Sequence, residues 1–163
     1  MNMREDDDGG IMVAEIDPFF AMMIRELPGI ACSDDEKSRA RIYPSPTGGS
    51  DEDADSDWKS SVEPELRELF SSAIDLVVEN LAVMKESEET GLTLRIPSGH
   101  VDAWMHTLNR ARLSLAAQWD IDEDDMELGP PSRDSDPDRT MALLKIEIYG
   151  MLLEFLVRTR WKR

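Results

Sequence analysis

A chain of 163 residues, 40% of them hydrophobic, has enough length and apolar content for one domain with a core of its own. Its 35 acidic against 18 basic side chains give a formal net charge of −17, which disfavours direct contact with nucleic acid or an anionic membrane surface. The single cysteine, Cys32, excludes an internal disulfide framework, the N-terminus is acidic where a signal peptide would be basic, and the longest apolar run, 148–157, is too short to cross a bilayer, so a cytoplasmic protein is expected.

Residues 1–9 read as a disordered acidic lead, and a single helical domain is expected over 10–163. The β-branched and apolar residues 11–16 predict a short strand, followed by Asp17-Pro18, an N-cap with proline at the first helical position. Phe20, Met23, Ile24 and Leu27 then recur at helical spacing and predict a short amphipathic helix closed by Pro28-Gly29. From 33 to 57 the composition turns to Asp, Ser, Pro and Gly, broken only by the island Arg41-Ile42-Tyr43-Pro44, and predicts a long mobile acidic loop.

A second main helix is expected over 63–86, with Leu66, Leu69, Phe70, Ala73, Val77, Leu81 and Met84 on one side. Asn80 intrudes on that side and is a candidate partner for Asn109 or Arg112. Leu92, Leu94 and Ile96 alternate with Thr93 and Arg95 as a half-buried strand. Pairing it with 11–16 would satisfy the backbone groups that either strand alone leaves open.

Residues 97–120 predict the central helix, with Val101, Trp104, Met105, Leu108, Leu115 and Trp119 facing inward. Arg112 falls near the middle of that stripe and Asn109 on its margin. A guanidinium cannot shed its charge, so Arg112 either holds a polar network inside the core or opens on a partner; the core network is the leading expectation, and Arg110, off the stripe, should matter much less. Beyond one acidic helical turn in 121–128 and a break at 129–131, Asp136-Pro137 caps the last helix. Its buried face is expected to carry Met141, Leu144, Ile148, Met151, Leu152, Phe155 and Leu156, and its basic end Arg158, Arg160, Lys162 and Arg163 to complement the helix dipole. The expected fold class is mainly α: a compact domain of three longer helices and one short helix with a small two-stranded sheet.

No constellation nominates a reaction. Asp120, Asp122 and Asp124 have the spacing of a calcium loop, but Asp125 and Pro131 stand where its glycine and glutamate belong. His100 and His106 lie six apart on different helix faces, and Asp102 with His106, four apart, reads as an on-helix ion pair because no nucleophile motif accompanies it. No metal and no cofactor are expected. The leading functional expectation is a non-enzymatic protein-interaction or regulatory domain, with Trp104, Asn109, Arg112, Asn80 and Tyr43 as structural or interaction candidates. The alternative is an enzyme acting on a small cationic or neutral substrate in a cleft near Asp102, His106, Asn109 and Arg112.

Trp104, Leu108-Asn109, Arg112-Leu113 and Leu115, preceded by the strand 92–96 and the island at Tyr43, form a pattern of their own. It resembles an uncharacterised helical family of bacterial proteins, domain of unknown function number two thousand and seventeen, over 11–161. The resemblance implies no established activity; it implies an association with regulated proteolysis, since members are often encoded near the adaptor of the Clp protease. The island departs from the family pattern, reading Tyr43-Pro44-Ser45-Pro46 where leucine-proline is expected.

Overall fold

The computed structural model describes residues 1–87, 91–127 and 136–160. In chain order these form β1 (Asn2–Glu5), β2 (Ile11–Ile16), α1 (Pro18–Ala31), α2 (Glu36–Ile42), α3 (Glu52–Ser61), α4 (Glu63–Ala82), β3 (Lys85–Ser87) and β4 (Gly91–Ile96). A 3-10 turn, Ser98–His100, then leads into α5 (Val101–Gln118), α6 (Glu123–Glu127) and α7 (Pro137–Arg160). The fold is mainly α with a small sheet, and α4, α5 and α7 are the three long helices. No helix among the described residues is long and apolar enough to cross a membrane.

The expected pairing of 11–16 with 92–96 is present: β2 runs antiparallel to β4 with Ile11 opposite Ile96 and Val13 opposite Leu94. The sheet is wider than the two strands expected, with four in the order β1-β2-β4-β3. Ile11, Val13 and Ile16 all point into the core although their spacing breaks strict alternation. A bulge between Val13 and Ile16, with Glu15 at φ 55°, resets the parity so that Ile16 and not the glutamate turns inward.

β1 stands where a disordered lead was expected, because the aspartates of the turn that follows it are fasteners. Asp6 Oδ1 accepts the Gly10 N–H at 2.7 Å, and Arg95 of β4 donates to Asp6 at 3.0 Å and to Asp8 at 2.9 Å. Burial pushes the Asp6 carboxyl up, but the bonds from Arg95 and Gly10 outweigh it and hold the group below its ordinary value. Gly10 is required at this turn, since a Cβ there would lie 2.8 Å from the Ile96 carbonyl oxygen.

The expected acidic loop at 33–57 likewise contains α2 and α3. Asp35 caps α2 by accepting the Ser38 N–H at 3.0 Å, and Asp51 caps α3 by accepting the Ala54 N–H at 3.0 Å. Between them Asp55 gathers the turn at 47–49, accepting from the Thr47 N–H and hydroxyl at 3.1 and 2.9 Å and from the Gly49 N–H at 3.0 Å.

The core lies between one face of the sheet and α1, α5 and α7, with Ile74 and Val77 of α4 closing it. Two helix faces are rotated from expectation. Leu69 of α4 is 54% exposed while Ile74 turns inward, and Met151 of α7 is exposed while Ala142, Ile146 and Tyr149 join Leu152 and Leu156 in the core. On α7 apolar residues lie nearly all round, so periodicity alone does not choose its face; the Tyr149 hydroxyl does, donating to the Met23 carbonyl at 2.8 Å. Burial pushes that phenol well above its ordinary value. The expected break at 129–131, and Lys162 and Arg163 of the expected basic end, lie outside the described residues.

Candidate functional site

α5 is buried on two faces, and only the first is apolar. Val101, Trp104, Leu108, Ala111 and Leu115 meet the sheet and α7, whereas Ala103, Thr107, Arg110 and Ser114 form a second buried stripe of small and polar residues. Arg110, 8% exposed, sits on that second stripe. Its Nε donates to the Ala31 carbonyl at 2.5 Å and its Nη1 to the Tyr43 hydroxyl, while its guanidinium lies over the rings of Tyr43 and Phe70 at 5.2 and 5.1 Å. Ala31 is the last residue of α1, so the charge rests on the negative end of a helix dipole. The buried arginine is therefore Arg110, not Arg112, and its anchor is Tyr43.

Asn80 does not reach Asn109 or Arg112. It is 6% exposed and takes the Trp104 Nε1–H on its Oδ1 at 2.9 Å, with its amide nitrogen 3.1 Å from His100 Nδ1. The expected network with Asn109 or Arg112 is therefore absent; the polar cluster that Asn80 does form joins α4 to the 3-10 turn and the start of α5. Asp102 and His106 do not meet either. Asp102 pairs with Arg160 of α7 at 3.1 Å, and His106 is exposed with its ring edge-on to Phe70 at 6.3 Å.

Asn109 and Arg112 instead line a cleft of about 220 Å³ at the other end of α5. The cleft forms because α5 ends in a reversal: Asp120 takes φ 47° and the Ile121 N–H donates back to the Ala116 carbonyl at 2.9 Å, the pattern of a Schellman cap with aspartate in place of glycine. That reversal lays Ile121, Asp122 and Glu123 beside Leu113 and Ala116, and α7 supplies Ile146 as a further wall. Arg41 of α2 closes the cleft. It is held there because α2 is pinned to α5 at both ends: Gln118 donates to Asp35 at 2.8 Å, and Arg110 donates to Tyr43, which ends the helix.

Arg112 is half-buried, and its guanidinium lies along α7 at Gly150, where an added Cβ would stand 3.4 Å from Nε. Its Nε is buried and has no hydrogen-bond partner. A buried charged donor left open costs more than a neutral one, about 1 to 3 kcal/mol or above, so its persistence asks for an explanation. Of the four residues of the enzyme alternative the cleft thus gathers two, Asn109 and Arg112. Arg41 is the member that sequence periodicity misses, since it lies 71 positions before Arg112 on a separate helix; its place in the only basic and apolar island of the acidic stretch was the available signal.

A family model described as "Domain of unknown function (DUF2017)" matches residues 10–159 of this chain. No curated protein matches it, and no solved structure does.

Proposed function

The chain belongs to the DUF2017 family, whose description assigns no activity, and from that premise we propose that it is a cytoplasmic, non-enzymatic interaction domain that binds a partner protein through the cleft between α2, α5, α6 and α7. The observation that supports this reading is the open guanidinium of Arg112. Among the described basic side chains, Arg4, Arg25, Lys59 and Lys85 have no carboxylate within salt-bridge distance but are exposed, whereas Arg112 is half-buried and without one, and shares its cleft with Arg41, likewise without one. The Arg112 Nε is packed at Gly150 out of a ligand's reach, so a ligand meets the Nη groups, which bind without first breaking an internal bond among the described residues. The family resemblance extends the proposal to regulated proteolysis as the setting.

The reading is tested by comparing two baits at physiological salt: the wild-type chain and an Arg41→Gln, Arg112→Gln double variant with an unchanged thermal midpoint. A protein retained by the first and lost from the second supports the proposal. Identical retention by both, or none by either, overturns it.

A further inference from the structure

Resting on that reading, we propose that the cleft takes the free C-terminal carboxylate of a partner chain whose last residue is apolar. Three chemistries meet in it. Arg112 and Arg41 offer charged donors suited to a planar carboxylate, Asn109 offers an amide that can pair with a peptide group, and Leu113, Ala116, Ile121 and Ile146 offer apolar wall. A chain end carries all three complements on one residue: carboxylate, peptide N–H and apolar side chain. The side chain of an internal aspartate or glutamate brings its carboxylate without an apolar group beside it.

Size admits this ligand, and charge narrows it further. A cleft of about 220 Å³ has room for the terminal residue of a chain, the rest of which can run out to solvent. Asp122 and Glu123 also line the cleft, and with the net charge of −17 they oppose a ligand the more negative charge it carries, so phosphate groups and acidic peptides are disfavoured against a single carboxylate. Asp122 is fixed in place, accepting the Asp125 N–H at 3.1 Å while its own N–H donates to Asp125 at 3.0 Å.

The probes are acetyl-Ala-Ala-Leu with a free carboxylate, the same peptide as its C-terminal amide, acetyl-Ala-Asp-Ala amide, and free leucine, each titrated into the full chain by calorimetry. The free-acid tripeptide should bind saturably, and amidation or Arg112→Gln should weaken it by about tenfold or more, the effect of losing a charge-assisted hydrogen bond. Arg41→Gln, on an exposed residue, should weaken it less and serves as the second variant if Arg112→Gln unfolds. Equal binding of the amide, equal binding of the internal aspartate peptide, or no binding of the free acid overturns the C-terminal specificity; equally tight binding of free leucine shows a small-molecule site and overturns the partner chain. These failures leave arginine-dependent capture of a protein intact, so they are distinguishable from failure of the interaction reading itself.

Discussion

Arg110 and Arg112 are two residues apart on one helix and have opposite roles, because helical geometry turns them about 200° from each other. Arg110 looks polar and misplaced in the sequence, yet it is buried against a helix end, a phenol and an aromatic face. Removing it strands the Tyr43 hydroxyl and the Ala31 carbonyl without a donor. Arg110→Ala should therefore cost about 3 to 5 kcal/mol in chemical denaturation, and Tyr43→Phe about 1.5 to 3, the loss of one hydrogen bond to a charged group. Arg112→Ala should cost under about 1 kcal/mol, since no described acceptor depends on it. Comparable midpoints for the Arg110→Ala and wild-type chains would mean that the Tyr43 contact is not held in solution. The ordering is the reverse of what the apolar stripe alone suggests.

At the scale of elements, the acidic stretch from 33 to 57 shows how carboxylates build structure where apolar residues are scarce. Asp35 satisfies the Ser38 N–H at the start of α2 and also accepts from the Ser38 hydroxyl at 2.5 Å, from Ser33 at 2.8 Å and from Gln118 at 2.8 Å. The Gln118 amide, followed by the Ser38 hydroxyl and N–H, holds the Asp35 carboxyl far below the usual carboxylate range. Its neighbour Asp34 is drawn down to about 2 by Arg39 first and Arg67 second. Asp35→Ala should destabilise the chain by about 1 to 2 kcal/mol, the upper part of the range for a lost N-cap, and should loosen α2 from α5. Because α2 carries Arg41, the same variant should weaken any ligand of the cleft while leaving Arg112 in place. Denaturation and titration of this one variant check both outcomes, and an unchanged midpoint would remove α2 from the account of the site.

For the molecule as a whole, pH acts through two opposed terms. Both Asp34 and Asp35 have lower pKa values folded than unfolded, so their contribution is complete above the unfolded value of about 3.9 and is lost as pH falls through the folded values, about 2 for Asp34. The excess of 17 negative charges works the other way, since its self-repulsion shrinks as carboxylates take up protons. Thermal stability should therefore rise on going from pH 7 toward about 5 and fall steeply below about 4. Added salt at pH 7 should raise it as well, because screening at about 0.15 M already acts within roughly 8 Å. Thermal melts across pH and salt test this directly, and a midpoint that falls steadily from pH 7 to 5 would show that net repulsion does not limit this fold.

The sequence by itself determined the elements whose pattern has a period: the strands at 11–16 and 92–96 and their pairing, the three long helices, and α5 as the helix against which the others pack. Local chemistry is enough there, since alternation and 3.6-residue spacing are set by the backbone. The second buried face of α5 was not legible, because Ala103, Thr107, Arg110 and Ser114 are small or polar and become interior only when α1 and α2 cover them. The cleft was half legible, with Asn109 and Arg112 singled out and Arg41 not. Nothing local places Arg41 near them; the tie from Asp35 to Gln118 and from Tyr43 to Arg110 does, and both span more than 60 positions of chain. Which arginine the fold satisfies and which it leaves open is decided by acceptors brought from distant segments, so only the tertiary structure could choose between them.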